Sequence, residues 1–93
     1  MKRIIALDIG TVRIGVAASD PLGSFAQGVT VLQAAGSWME ELSVIVEEYR
    51  AEVLLIGMPR RTAGTAGPEA GKMRTAVEKL RIRFPDLEIA EWN

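Results

Sequence analysis

Apolar runs in the first third of the chain predict three short strands. Residues 3–9 are apolar on both faces apart from Asp8, the pattern of a strand that is covered on both sides. Residues 10–12 form a glycine-led reversal, and residues 13–19 and 28–32 then alternate as strands do, so an antiparallel meander is expected. The second strand is predicted to present Ile14, Val16 and Ala18 on one face, and the third to place Val29 and Val31 on one side.

After residue 36 the apolar period changes to that of a helix. Residues 37–40, Ser-Trp-Met-Glu, match a capping box, in which the serine and glutamate side chains each satisfy a free amide. Residues 53–57 are an uninterrupted apolar run, typical of a buried parallel strand. Pro68 suits the first position of a second helix, and residues 87–92 predict a last strand. The predicted apolar helix faces are Trp38, Leu42, Ile45 and Tyr49 in the first helix and Met73, Val77, Leu80 and Phe84 in the second.

The predicted element order is therefore β-β-β-α-β-α-β, an α/β fold in one domain over residues 1–93. Right-handed crossovers place the fourth strand parallel to the first and the fifth parallel to the fourth, so the sheet is mixed. Ligands of such sheets bind where the carboxyl ends of the parallel strands meet. Asp8, the segment after Gly57 and Trp92-Asn93 converge on that edge.

Composition narrows the chemistry that the chain can perform. The chain has no histidine and no cysteine, which excludes Ser/His/Asp triads, Cys/His dyads and zinc sites built from those residues. Catalysis must then use carboxylates, hydroxyls, Lys or Arg, or a metal held by oxygen. No apolar run reaches the roughly 18 residues of a membrane span, so no membrane partner and a cytoplasmic location are expected. The net charge is −1, with acids concentrated in residues 36–52 and bases in residues 57–84.

Asp8 has two interpretations on the residues alone. A carboxylate in a buried strand costs several kcal/mol unless it is compensated, so Asp8 either accepts amides of the Gly10-Thr11 turn or binds a metal. Arg13 could meet a phosphate or pair with Asp8, and Arg60 and Arg61 could be solvated loop residues or phosphate ligands. Trp38 and Trp92 are predicted to be core residues rather than platforms for bases.

Two segments resemble the YqgF family, whose members are described as Holliday junction resolvases or pre-16S rRNA nucleases with an RNase H-like fold. The first is Leu7-Asp8-Ile9-Gly10 followed by residues 13–17 and Ser19-Asp20-Pro21. The second is Ile56-Gly57-Met58-Pro59 with Gly64, Gly67 and Pro68. The resemblance extends over the whole chain and includes the element order.

The resemblance implies phosphodiester hydrolysis assisted by Mg²⁺ or Mn²⁺. It implies that Asp8 is catalytic, as the metal ligand on the first strand, and that Arg13, Arg60 and Arg61 bind nucleic acid. The expected partner is an RNA precursor or branched DNA, and the expected state is a monomer or a homodimer.

The sequence departs from the family at its end. The family has Asp-Glu-Arg after the last strand and a further acid beyond it, whereas this chain has Asn93 at the first of these positions. We therefore expect a C-terminally shortened RNase H-like domain that lacks the C-terminal helix and is a poor catalyst or inactive. One alternative is a non-catalytic RNase H-like interaction module. Another is the N-terminal lobe of an actin-like or sugar-kinase ATPase, because Asp-Ile-Gly-Thr before a hairpin also opens those proteins.

Overall fold

The computed structural model describes residues 2–19, 27–57 and 68–92. Their elements follow the predicted order, with strands β1 (Ile4–Ile9), β2 (Arg13–Ala18), β3 (Gln27–Gln33), β4 (Val53–Gly57) and β5 (Glu88–Trp92), and helices α1 (Trp38–Tyr49) and α2 (Pro68–Arg83). The five strands form one sheet in the order β3-β2-β1-β4-β5. β1 pairs antiparallel with β2 and parallel with β4, and β4 pairs parallel with β5, so the predicted mixed sheet is confirmed.

Both helices pack on one face of the sheet. Leu42 and Val46 of α1 and Val77 and Leu80 of α2 belong to one buried cluster with Leu7 and its neighbours. This arrangement follows from the sheet order, because both right-handed crossovers move across the sheet in the same direction. The sheet residues in the cluster are Ile5, Leu7, Ile14, Val16, Ala18, Leu32, Leu54 and Ile56.

The opposite face of the sheet is apolar but only partly buried among the described residues. The residues of β1, β2 and β4 that are half-buried there are Ile4, Ala6, Ala17 and Leu55, whereas their strand neighbours on the helix face are buried. Val53, in register with Ile4 at the start of β4, is the buried exception on this face. The prediction that β1 is covered on both sides is therefore wrong for the described elements, because α1 and α2 both lie on the other face. This difference changes the environment of Asp8.

A β-bulge in β3 determines which face of the sheet its side chains point to. Val16 pairs with Thr30 and Ala17 with Gly28, so Val29 is an extra residue in the ladder. Val29 packs against the core, but Val31 is 56% exposed, and the prediction that both lie on one side is wrong. The bulge breaks the alternation on which that prediction depended.

The helix faces follow the predicted stripes in part. In α2, Met73, Val77 and Leu80 are buried as predicted. In α1 the buried residues are Leu42 and Val46, whereas Tyr49 is exposed, so the prediction that it faces the core is wrong. Ser37 is the N-cap residue, but its side chain makes no capping hydrogen bond, so the predicted capping box is wrong. α1 ends at Arg50, which adopts the left-handed conformation with φ 51°.

Candidate nucleic-acid and metal site at the Asp8 edge

Asp8 lies in a row of residues that crosses the sheet in register. It pairs with Gly15 on β2 and with Gly57 on β4, and Gly57 pairs in turn with Trp92 on β5. Gly15 also pairs with Val31 on β3. Because neighbouring strands lie about 4.8 Å apart, Asp8 has a glycine at that distance on each side. The carboxylate is therefore flanked by two residues without side chains.

The row belongs to the face of the sheet that α1 and α2 do not cover. Leu7 and Ile56 are buried in the helix-side cluster, so the next residues along their strands, Asp8 and Gly57, point the other way. A Cβ atom at Gly15 would lie 3.7 Å from the Asp8 Cβ, and one at Gly57 would lie 3.5 Å from the Leu7 carbonyl oxygen. Both are ordinary contacts, so the backbone does not demand glycine at either position. What the glycines provide is open space beside the carboxylate.

The exposure of Asp8 determines what its charge costs the fold. Asp8 is exposed, so it carries no large desolvation cost, and the premise that it is buried in the strand is wrong. The Gly10 amide donates to the Arg13 carbonyl oxygen at 2.9 Å, which leaves that amide unavailable to the carboxylate. The interpretation in which Asp8 accepts the amides of Gly10 and Thr11 therefore loses one of those two donors. The metal role of Asp8 remains a prediction.

Arg13 lies on the same face as Asp8, at a diagonal position on β2. Ile14 is buried on the helix side, so Arg13 points away from the helices, and it is exposed. Diagonal neighbours in a sheet are about 7–8 Å apart, within reach of a long side chain. The ion pairs between described residues include neither Asp8 nor Arg13. Arg13 is thus within side-chain reach of Asp8, and no salt bridge joins the two in the described part of the chain.

Trp92 contradicts the prediction that it is a core residue. It is 67% exposed, at the end of β5, in register with Gly57. Its register with Gly57 places Trp92 on the face of Asp8, and its neighbour Glu91 pairs with Arg81 of α2 at 3.8 Å, as expected for a residue on the helix side. The sequence predicted correctly that Glu91 and Trp92 face opposite ways, but the register with Gly57 and Asp8 depends on strand pairing. No signal within the sequence of β5 indicates it.

Several predicted site residues lie outside the described residues. They are Arg60 and Arg61, the segment Met58-Pro59 with Gly64 and Gly67, the turn Asp20-Pro21, and Asn93. The nucleic-acid role of the two arginines stays a prediction. The basic residues of α2 that are described, including Lys72, Arg74 and Lys79, are exposed, as predicted for a solvated helix face.

The fit of a divalent cation to this edge depends on the donors. An exposed carboxylate with free space around it is a suitable hard oxygen ligand for Mg²⁺ or Mn²⁺. However, within residues 2–19, 27–57 and 68–92 no three acids come together to hold a metal ion. Asp8 can therefore supply one ligand, and the described residues do not make up a two-cation centre.

Away from the Asp8 edge, a concave feature lies between the start of α1 and the end of α2. It is a cavity of about 370 Å³, lined by Trp38, Met39, Lys79, Ile82 and Arg83 together with Gly36 and Ser37. Arg83 also contacts Ser43 Oγ at 3.3 Å and Glu40 at 3.9 Å. No residue of the Asp8 row lines this cavity. Among the described residues, no helix has the length and apolar character to cross a membrane.

Comparison with solved structures supports the fold. A Thermus thermophilus RuvC in complex with a Holliday junction substrate superposes with a TM-score of 0.66 at 12% identity, over 99% of this chain and 64% of that one. A putative sugar kinase from Cytophaga hutchinsonii superposes with a TM-score of 0.60 at 17% identity, over 98% of this chain and 36% of that one. At these identities both likenesses show the fold alone, and the kinase alternative gains nothing more from them.

Comparison at the level of sequence is more specific. A Clostridium botulinum protein named "Putative pre-16S rRNA nuclease" is 42% identical over 93 residues, which are 98% of this chain and 67% of that relative. The family described as "RuvX: Holliday junction resolvase" matches residues 2–93. RuvX is the family also called YqgF, so the resemblance seen in the two sequence segments is confirmed. The chain belongs to the RuvX family.

Proposed function

We propose that this chain is part of a metal-dependent endonuclease that acts on structured nucleic acid. The substrates that we infer from the family and its relatives are the 5′ end of pre-16S rRNA and the Holliday junction. The observation that carries the proposal is the placement of Asp8. In a RuvX-family chain, it puts an exposed carboxylate at the carboxyl end of a central strand, between two glycines.

Each residue of the edge has a role in this proposal. Asp8 is the first-strand ligand of a divalent cation, Mg²⁺ or Mn²⁺. When bound, such a cation supplies activation of water and stabilisation of charge on the phosphate. Arg13 lies on the same face and binds a backbone phosphate through its guanidinium. Arg60 and Arg61 extend the phosphate contacts.

One observation favours a second candidate function. The described residues bring no group of three acids together, and a single carboxylate holds a hard cation weakly in water. A non-catalytic module that binds nucleic acid through the same face is consistent with this finding. The two candidates differ in whether the chain cleaves its ligand, not in where the ligand lies.

The metal role is tested by Mn²⁺ titration followed by NMR. Paramagnetic Mn²⁺ is expected to broaden the backbone amide signals of Asp8, Gly15 and Gly57 before those of the helices. Asp8→Asn should abolish this preference, while Glu48→Gln, which removes an exposed acid from α1, should leave it unchanged. Broadening that ignores Asp8 and survives Asp8→Asn would reject Asp8 as a ligand.

The catalytic role is tested separately with labelled pre-16S rRNA and a labelled four-way junction. The endonuclease proposal expects cleavage that requires Mg²⁺ or Mn²⁺ and is lost in Asp8→Asn but kept in Glu48→Gln. Binding without cleavage at any metal concentration would instead support the module. Sedimentation with the two-fold junction distinguishes a homodimer from a monomer. The proposal places the reaction in the cytoplasm, where bacterial rRNA precursors are made.

A further inference from the structure

We propose that the outer face of α1 and α2 is a self-association surface, on which the acidic α1 of one copy contacts the basic α2 of a second copy. The surface is centred on the cavity of about 370 Å³ between the two helices. We call this cavity the helix groove, and the side chains that line it are those of Ser37, Trp38, Met39, Lys79, Ile82 and Arg83. None of these residues belongs to the Asp8 row, so the inference goes beyond the proposed function and does not rest on it.

The two helices that flank the helix groove carry opposite charges. α1 contains four acids and no base, and all four acids are exposed, namely Glu40, Glu41, Glu47 and Glu48. α2 contains five bases against two acids, and all five bases are exposed, namely Lys72, Arg74, Lys79, Arg81 and Arg83. An acidic helix therefore lies across the groove from a basic one, although the net charge of the chain is only −1.

These charges are only weakly neutralised between the two helices. In the described part of the chain a single ion pair joins α1 to α2, that of Arg83 with Glu40 at 3.9 Å. The Glu40 side chain is 78% exposed and that of Arg83 44%, and an ion pair exposed to this degree contributes little. Most of the charge on both helices is therefore available to a partner.

The two signs of charge select a second copy of this chain as that partner. The partner must present bases to α1 and acids to α2. Nucleic acid presents only phosphates, which α1 would repel, whereas a second copy presents both signs. A two-fold axis that runs along the helix groove places α1 of each copy opposite α2 of the other, so the complementary contact forms twice. Complementarity of this kind fixes the orientation in which two proteins associate.

An exposed isoleucine supplies the apolar centre of this contact. Ile82 lies in the last turn of α2 and is 80% exposed, although it lines the helix groove together with the half-buried Trp38 and Met39. The two-fold axis brings Ile82 of each copy against the groove of the other, where both side chains lose contact with water. An apolar centre inside a charged rim is the usual composition of a protein–protein interface.

The helix face also differs in kind from the opposite face of the sheet. That opposite face is apolar and half-buried at Ile4, Ala6 and Leu55, the composition of a packed core face. The outward positions of α1 and α2 are mostly charged, which suits a partner of complementary charge. Association through the helices leaves the Asp8 face of each copy uncovered, so a ligand at Asp8 and the second copy do not compete.

Sedimentation equilibrium of the unmodified chain tests whether the surface associates. In about 0.1 M salt we expect a species of twice the 10.1 kDa mass of one chain. In about 1 M salt the Debye length falls from about 10 Å to about 3 Å, so the Kd of the dimer should rise about tenfold or more. A chain that stays monomeric up to about 1 mM, or a dimer that salt does not weaken, would overturn the proposal.

Charge reversal tests which helices meet. One variant carries Glu40→Lys and Glu41→Lys, and the other carries Lys79→Glu and Arg83→Glu. Each variant alone should be monomeric where the unmodified chain is a dimer, because both contacts then join like charges. An equimolar mixture of the two should dimerise again, because both contacts between unlike copies join opposite charges. Restored association shows that both variants are folded, and a mixture that stays monomeric although circular dichroism shows both variants folded would overturn the pairing of α1 with α2.

Two further variants control for net charge and test the apolar centre. Lys2→Glu with Arg3→Glu changes the net charge as much as the reversal on α2 does, at exposed positions that precede β1, and the dimer should remain. Ile82→Ser should raise the Kd of the dimer about tenfold or more, since two isoleucines leave the interface. Its thermal midpoint, measured at a dilution where the chain is monomeric, should not change. A dimer that survives Ile82→Ser but is lost with Lys2→Glu and Arg3→Glu would overturn the helix groove as the centre of the contact.

Discussion

Gly57 pairs in register with Asp8, and this pairing leaves the carboxylate open toward β5. Gly57 also pairs with Trp92, so a side chain at position 57 would stand between Asp8 and Trp92 on the face that α1 and α2 do not cover. The nearest atom to such a Cβ, outside the neighbouring residues, is the Leu7 carbonyl oxygen at 3.5 Å, an ordinary contact. The fold would therefore tolerate a side chain at position 57. The same side chain would exclude a ligand from the space over Gly57.

The first prediction concerns Gly57→Val. The thermal midpoint should stay close to that of the unmodified chain, because β-branched residues suit strands and no backbone clash arises. The affinity for the labelled four-way junction should fall by about tenfold or more, since the valine fills the space beside Asp8. Gly28→Val is the matched control, because Gly28 lies on the edge strand β3 with no atom within 4 Å of its Cβ position. Equal affinities in the two variants would show that the ligand does not occupy the space over Gly57.

The second prediction concerns the β1–β2 turn. A Cβ at Gly10 would lie 2.8 Å from the Arg13 carbonyl oxygen, the same atom that accepts the Gly10 amide. Gly10→Ala must therefore shift the turn and should lower the free energy of unfolding by about 1–3 kcal/mol. Urea denaturation measures this value.

The control for the Gly10→Ala prediction is expected to change the free energy of unfolding in the opposite direction. Gly71 lies within α2, and a Cβ there would meet nothing within 4 Å. Gly71→Ala should raise the free energy of unfolding by about 0.5–1 kcal/mol, because alanine loses less backbone entropy in a helix. A destabilised Gly71→Ala, or an unchanged Gly10→Ala, would contradict the geometry.

The third prediction tests how α2 is attached to the sheet. Leu80 is fully buried in the core cluster, while Ile82 on the same helix is 80% exposed. Leu80→Ala should cost about 2–5 kcal/mol of unfolding free energy through lost burial and a residual cavity. Ile82→Ala should stay within about 0.5 kcal/mol of the unmodified chain. Similar losses in both variants would indicate a different helix face against the sheet.

The fourth prediction compares two serines. Ser19 Oγ accepts a hydrogen bond from the partly buried Ile4 amide at 2.9 Å, and the Ser19 amide donates to the Ile4 carbonyl oxygen at 2.8 Å. Ser19→Ala should cost about 1 kcal/mol because the Ile4 amide loses its acceptor. Ser37→Ala should cost less than the ~1 kcal/mol typical of an N-cap, since Ser37 makes no side-chain capping bond. A larger loss at Ser37 in urea denaturation would restore the capping box.

The sequence by itself determined the element order, the mixed sheet and the family. These features depend on local signals, namely the change of apolar period near Ser37 and the uninterrupted run that ends at Gly57. Right-handed crossovers then left few possible sheets. The signature around Asp8 is also local, so it identified the family before any strand was paired.

Only the tertiary structure decided which residues surround Asp8. Strand pairing brings Gly15, Gly57 and Trp92 into its row from three separate segments, and nothing local in those segments specifies that register. Both helices lie on one face, so Asp8 is exposed although the sequence pattern placed it in a strand covered on both sides. Apolar periodicity reports that a residue suits a packed face, but the topology decides whether anything packs on it.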